Sequence, residues 1–202
     1  MKRTILTALA ALMLSLSAQA QYPVYLHSHN DYAKSAPFWM AYSQKVRTVE
    51  CDMFHLGGTT FLIGHEKSDF SYNQDFDTYY LNPIVQVFRY NGGHAWSDDP
   101  NRDIQLMIDI KSDDPDAFIK ALVKKLKKYP DVFDRSVNPH ACQVIITGKG
   151  PEPEDYYKYP AIIGFDGTID KEYTPEQLER VVLFSEYFRK YSGWNGKGTL
   201  VY

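Results

Sequence analysis

The chain has 202 residues, of which 44% are hydrophobic and 23% charged, and its 22 basic and 25 acidic side chains give a net charge of −3. This length is enough for one domain with a sizeable core. The charge balance provides neither a positive field for nucleic acid nor a polybasic patch for anionic lipid, so we expect no nucleic-acid partner.

The first predicted element is a signal peptide over residues 1–20. Lys2 and Arg3 precede an apolar run, Ile5 to Leu16, that is too short to span a bilayer. The small residues around Gln19 are typical of a signal-peptidase site, so we predict cleavage after Ala20 and export to the periplasm or the cell exterior. An uncleaved anchor is the alternative. No later stretch is apolar enough to cross a membrane.

Residues 21–202 alternate short apolar strands with longer amphipathic stretches, which predicts βα units and a parallel sheet. The predicted strands are Val24–His29, Thr48–Met53, Ile104–Ile110, Gln143–Thr147 and Ala161–Phe165, with an extended return segment at Thr60–Ile63. Helices are predicted from near Pro37, around Pro83 to Tyr90, after Asp114, and from Pro175 to about Tyr191. Lysines 124, 125, 127 and 128 are predicted to form a solvated face of the third helix.

These repeats predict an α/β fold, a TIM-type (β/α) barrel that occupies residues 21–202 as one domain. Five βα units cannot close a barrel, because an open edge would expose unpaired backbone groups. We therefore expect that the barrel is incomplete and that about three C-terminal βα units are missing.

Two cysteines are present, and Cys51 and Cys142 fall on predicted strands that are not neighbours in sequence. A disulfide is one possibility in an exported protein. We favour two buried free thiols, because a bridge requires Cα atoms closer than these positions usually come.

Acidic side chains mark the ends of the second and third predicted strands. Glu50 and Asp52 lie on one face of a strand, because side chains alternate with a period of two, and Cys51 lies on the other. Asp109 ends the next strand and adds a third carboxylate. Anions this close repel each other unless a cation lies between them or one is protonated, so the pattern predicts a divalent metal site.

The chemical types of the candidate ligands indicate which metal the site would bind. Three carboxylates and the Asn30 amide form an all-oxygen set, which favours Ca²⁺ or Mg²⁺ over zinc. His29, beside Asn30, and His65, after Gly64, are expected on either side of this centre and are candidates for the catalytic acid and base. Lys111 and Lys149 follow strand ends and are candidates for binding substrate phosphate. Asp166 also follows a strand, and we interpret it as a turn residue.

Each of these motifs alone is common, but their order along the chain is more specific. The sequence His29-Asn30, then Glu50-x-Asp52, then Gly64-His65, then Asp109 resembles the superfamily of phosphatidylinositol-specific phospholipase C and glycerophosphodiester phosphodiesterase. The resemblance covers about Tyr25 to Lys111. It implies that His29 and His65 are the catalytic histidines and that Asn30, Glu50, Asp52 and Asp109 bind the metal. Asp109 departs from the pattern, since a glutamate is usual there.

The resemblance implies a metal-dependent phosphoric diester hydrolase that acts on a glycerol- or inositol-type phosphodiester. A hydroxyl beside the ester would attack phosphorus, with one histidine accepting its proton and the other protonating the leaving alkoxide. The expected partner is a small-molecule or lipid-derived phosphodiester. Two alternatives remain: a non-catalytic barrel that binds a polyol phosphate or glycan, and a phosphomonoesterase.

Overall fold

The computed structural model describes residues 24–69 and 74–198, which form an α/β fold around one seven-stranded, mostly parallel sheet. The strands are β1 (His27–Ser28), β2 (Thr48–Gly57), β3 (Thr60–Ile63), β4 (Gln105–Ile110), β5 (Gln143–Gly148), β6 (Ile163–Gly167) and β7 (Val181–Phe184). The α-helices are α1 (Trp39–Ser43), α2 (Asn82–Tyr90), α3 (Pro115–Leu126), α4 (Pro130–Phe133), α5 (Pro175–Leu178) and α6 (Phe188–Tyr191). Short 3₁₀-helices cover Asp31–Ala33, Lys67–Asp69 and Pro153–Lys158, and a π-helical turn covers Asp77–Leu81. The predicted signal peptide and its cleavage site lie outside the described residues.

The strands follow one another across the sheet in the order β1-β2-β4-β5-β6-β7, with every adjacent pair parallel. β3 turns back and pairs antiparallel with the end of β2. This order confirms the predicted α/β class. Within residues 24–69 and 74–198, β1 pairs only with β2 and β7 only with β6, so the described sheet is open and a barrel is not confirmed.

One face of the sheet forms the hydrophobic core with the helices. Val49, Cys51 and Met53 alternate along β2 on this face and are at most 1% exposed. They belong to one buried cluster with side chains of α2 and α3, such as Phe88 and Phe118. Both cysteines are buried free thiols, as predicted.

The opposite face of the sheet carries two polar rows that cross neighbouring strands. In the first row, Thr48 donates to Gln105 at 2.7 Å, and Gln105 donates to Gln143 at 3.0 Å. The strand register aligns these three residues. Four residues further along each strand, the same register aligns Asp52 of β2, Asp109 of β4 and Thr147 of β5. The second row therefore lies toward the carboxyl ends of the strands, where sites in parallel sheets are built.

The longest helix, α3, begins as its sequence predicts. The Asp114 side chain caps it by accepting a hydrogen bond from the Ala117 amide at 2.9 Å. The prediction of a fully solvated lysine face is wrong for Lys125, which is 7% exposed and forms an ion pair with Asp77. Its long side chain reaches a partner 48 residues away in the sequence. In the described ranges, no helix is long and apolar enough to cross a membrane.

The prediction of one continuous helix from Pro175 to Tyr191 is wrong. Pro175–Leu178 forms helix α5 and Phe188–Tyr191 forms helix α6, but Val181–Phe184 between them forms the parallel strand β7 beside β6. Buried Arg180 precedes this strand and donates four hydrogen bonds to backbone carbonyls between residues 156 and 163. These bonds hold the entry to β7 against β6, and the adjacent β-branched valines favour the extended backbone.

Candidate active site

Three acidic side chains come together at the carboxyl end of the sheet, and we call Glu50, Asp52 and Asp109 the acidic triad. One ligand oxygen of each lies within 4.8 Å of the others. Glu50 and Asp52 are 4% and 1% exposed, and Asp109 is half-buried. The β2–β4 register places Asp109 directly beside Asp52, so the spacing follows from strand pairing.

Lys111 neutralises part of this negative charge. Its ammonium lies 3.1 Å from Asp52 Oδ1 and 2.8 Å from Asp109 Oδ2, so it bridges two acids of the triad. Burial alone would lower its pKa, but the hydrogen bonds to Asp109 and Asp52 outweigh this and raise the pKa. Lys111 therefore belongs to the acidic centre, and its side chain remains 20% exposed.

Glu50 experiences the strongest electrostatic conflict. Burial, together with repulsion from Asp52 and Asp109, raises its pKa from 4.5 to about 7, although hydrogen bonding from Asn30 opposes the rise. The positive charge of Lys111 therefore does not balance the negative charges of the three carboxylates.

Asn30 contacts the triad through its backbone. Its amide N–H donates to Glu50 Oε2 at 2.5 Å, which fixes the loop after β1 against β2. The residue has φ 48° and ψ 50°, a left-handed conformation that asparagine tolerates better than most side chains. The sequence predicted the side-chain amide as a ligand, whereas the observed contact to the triad is the main-chain donor.

Two residues of the same loop were not predicted to contribute to the site. Tyr32 donates its hydroxyl to Asp52 Oδ2 at 2.5 Å. Asp31 is fully buried and accepts hydrogen bonds from Ser28 Oγ, the Phe38 amide and the Tyr80 hydroxyl. Asp31 thereby anchors the loop that carries Asn30 and Tyr32. The aspartate and tyrosine that directly follow His29-Asn30 were the available signal.

Gly148, at the end of β5, completes the wall of the centre. It has φ +73°, and a Cβ atom there would overlap the carboxylate of Asp109. Only glycine allows the backbone of β5 to approach the third acid this closely.

The two candidate catalytic histidines lie on the loops that border the triad. His29 directly precedes Asn30 and is exposed, with its ring centroid 6.3 Å from that of His27. His65 follows Gly64, whose amide donates to the Asp52 carbonyl at 3.1 Å, and its ring is 3.3 Å from Glu66. Within the described part of the chain, neither ring forms a hydrogen bond with the triad.

Lys149, the other predicted phosphate ligand, lies at the same edge of the sheet but faces a different partner. Its ammonium is 2.7 Å from Asp113, and both side chains are more than half exposed. The structure therefore does not bring Lys149 into contact with the triad.

Asp166 extends the second polar row beyond the triad, and its interpretation as a turn residue is wrong. It lies on β6, accepts a hydrogen bond from Thr147 Oγ1 at 2.9 Å, and accepts another from the Ser185 amide at 2.9 Å. Thr147 pairs with Asp109 across β4 and β5. Thr147 and Asp166 thus continue the row from the triad toward β7.

The donor set of the triad fits a hard divalent cation. Among residues 24–69 and 74–198, only these three acids gather closely enough to hold a metal together. All the donor atoms are carboxylate oxygens, which Ca²⁺ and Mg²⁺ prefer. The raised pKa of Glu50 indicates that the folded chain alone provides too little positive charge at this point.

Comparison with known proteins places this site within a described domain. A family model for the AIM6-like phosphodiesterase domain matches residues 16–153. The matched stretch includes β1 to β5, the acidic triad and both candidate histidines.

Curated relatives come from fungi. Altered inheritance of mitochondria protein 6 of Eremothecium gossypii is 28% identical over 148 residues, and its homolog in Arthroderma benhamiae is 29% identical over 153 residues. Each alignment covers 64% of this chain, but only 38% of the first relative and 48% of the second. The chain thus spans less than half the length of these relatives. No solved structure matches it.

Proposed function

The chain belongs to the family of AIM6-like phosphodiesterase domains, and from that premise we propose that it is a metal-dependent phosphoric diester hydrolase centred on the acidic triad. The observation that carries this proposal is the approach of three carboxylates to within 4.8 Å at the carboxyl end of a parallel sheet. The finer resemblance to phosphatidylinositol-specific phospholipase C and glycerophosphodiester phosphodiesterase supports a glycerol- or inositol-type diester. We also propose the export and the TIM-type barrel fold that the sequence predicts.

Glu50, Asp52 and Asp109 would hold the cation, Ca²⁺ or Mg²⁺, with the side-chain amide oxygen of Asn30 as a further ligand. When bound, a divalent cation stabilises charge on a phosphate oxygen and acidifies a neighbouring hydroxyl. Tyr32 fixes the orientation of Asp52 through its hydrogen bond, and the backbone N–H of Asn30 fixes the orientation of Glu50.

The remaining side chains would transfer protons and bind the substrate. A hydroxyl next to the ester attacks phosphorus, one of His29 and His65 accepts its proton, and the other protonates the leaving alkoxide. The resulting cyclic phosphodiester is opened by water with the two histidine roles reversed. Lys111, at the rim of the triad, binds a phosphate oxygen as a point charge.

Hydrolysis of two model substrates tests this proposal. After treatment with EDTA, the protein should cleave glycerol p-nitrophenyl phosphate, a diester that carries a hydroxyl beside the ester, only when Ca²⁺ or Mg²⁺ is restored, and it should prefer this diester to p-nitrophenyl phosphate. Glu50→Gln should lower diester cleavage by about a hundredfold or more, because loss of one charge-stabilising group has effects of that size. Glu154→Gln, the same change at an exposed position outside the triad, is the matched control and should leave the rate unchanged.

Each alternative gives a different result. Preference for the monoester would indicate a phosphomonoesterase. Metal binding without cleavage of either substrate would indicate a non-catalytic binding domain. Metal-independent cleavage that survives Glu50→Gln would contradict the assignment of the triad.

A further inference from the structure

A cavity of about 460 Å³ lies over the carboxyl ends of β5, β6 and β7, beside the acidic triad. Its polar lining includes Thr147, Asp166, Lys171, Ser185 and Glu186. The cavity begins one strand away from the triad, because Thr147 pairs with Asp109. A molecule whose phosphate lies at the triad could therefore extend into this cavity without leaving the sheet edge.

The charges in the cavity are unevenly distributed. Its single lysine, Lys171, forms a 2.5 Å ion pair with Glu152 and is thus already balanced. Among the described residues, the donors to Asp166 are neutral groups of Thr147 and Ser185. Burial, with a contribution from the nearby Glu186, raises the pKa of Asp166 despite these hydrogen bonds. The inner part of the cavity is therefore short of positive charge.

Glu186 is also short of a hydrogen-bond donor. Its side chain is 12% exposed, and its Oε2 is 3.6 Å from the ammonium of Lys190. Its Oε1 is buried and has no hydrogen-bond partner in the described structure. A buried acceptor without a donor is unfavourable, and more so when it is charged, so a ligand that donates to this oxygen is favoured.

We propose that this cavity binds a primary ammonium group, so that the substrate class of the site is an amino-alcohol phosphodiester. The inference rests on the proposed function for the phosphate half of the substrate. A hydroxyl group would donate to Glu186 Oε1 but would not balance the charge, and a quaternary ammonium would balance the charge but has no N–H to donate. A primary ammonium does both.

The strand spacing agrees with this division of the substrate. Asp109 lies on β4 and Asp166 on β6, two strands apart, which corresponds to about 10 Å at 4.7–4.9 Å per strand. A short amino-alcohol esterified to a phosphate at the triad reaches Asp166 across Thr147, and Glu186 directly follows Ser185, whose amide donates to Asp166. The acids of the cavity do not come together in a group of three as the triad does among the described residues, so the cavity does not resemble a second metal site.

Direct binding measurements test the ammonium site without relying on hydrolysis. Ethanolamine, choline and glycerol are titrated separately into the whole protein and followed by ligand-observed NMR. We expect ethanolamine to bind at least about tenfold more tightly than either of the others, the ratio that one charged hydrogen bond provides. Glu186→Gln should remove this preference, whereas Glu154→Gln, which makes the same charge change outside the cavity lining, should keep it.

The possible results separate the two proposals. Equal or undetectable binding of the three ligands to the unaltered protein would overturn the ammonium site, and this comparison requires no variant to fold. A preference for ethanolamine that persists in Glu186→Gln would overturn it as well. Selective ethanolamine binding in a protein that cleaves no diester would reject the proposed hydrolase and leave the ammonium site supported.

Discussion

In the metal-free protein, replacing Glu50 with Gln should increase stability at high pH. The pKa of Glu50 is raised from 4.5 to about 7 by burial and by the neighbouring acids. A raised pKa means that the folded state holds this proton more tightly than the unfolded state does. Between pH 4.5 and 7 the folded state therefore binds more protons, and stability falls as the pH rises through this window. Above pH 7, the stabilisation that the bound proton gives to the folded state is fully lost.

The expected size of the effect follows from the shift. At about 1.4 kcal/mol per pKa unit, the change from 4.5 to about 7 corresponds to about 3 kcal/mol. Glu50 itself is buried, but the triad opens to solvent at half-buried Asp109, and screening by this solvent reduces the figure to about 2 kcal/mol. Glutamine has nearly the same shape and keeps an oxygen that can accept the hydrogen bond from the Asn30 amide. Above pH 7, the Glu50→Gln variant should therefore gain most of this 2 kcal/mol in free energy of unfolding.

Urea unfolding in EDTA at pH 4.5 and pH 8, followed by circular dichroism, measures this difference. Glu50→Gln should equal the unaltered protein at pH 4.5 and exceed it by about 2 kcal/mol at pH 8. Adding Ca²⁺ or Mg²⁺ at pH 8 should stabilise the unaltered protein more than the variant. Equal stability of the two proteins at both pH values would refute the electrostatic conflict at the triad.

Two further substitutions test how the triad is held. Tyr32→Phe removes the hydroxyl that donates to Asp52, and we expect a loss of about 1.5 kcal/mol or more in divalent-ion binding measured by calorimetry, with the fold retained in circular dichroism. An unchanged affinity would exclude Tyr32 as a positioning residue. Gly148→Ala adds a methyl group where the Asp109 carboxylate lies and should lower thermal stability and metal affinity together, by about 1–3 kcal/mol each. Gly193→Ala, where a Cβ meets nothing within 4 Å, is its control.

The acidic triad could be predicted from sequence because two local rules determine it. The period of two places Glu50 and Asp52 on one face, and the carboxyl ends of neighbouring parallel strands bring Asp109 beside them. Both rules require only that the two buried strands be recognised, and the apolar residues of these strands are enough to predict them. The free, buried state of Cys51 follows from the same alternation.

The features that sequence did not predict depend on partners distant in the chain. The burial of Lys125 depends on Asp77, and the identity of β7 depends on hydrogen bonds that Arg180 donates across the preceding segment. Asp166 looks like a turn residue because its neighbour is glycine. Only its alignment with Thr147 shows that it belongs to the row that begins at the triad.

The hydrogen-bonded row of Thr48, Gln105 and Gln143 has a consequence for how reliably the site assembles. If a strand shifted by two residues, every side chain would stay on its original face, so the inside–outside pattern does not oppose that error. The same shift would break the amide and hydroxyl pairs of this row and would displace Asp52 from Asp109 by about 6.6 Å. The hydrogen bonds of this row, four residues away from the triad along each strand, thus favour the register that aligns Asp52 with Asp109.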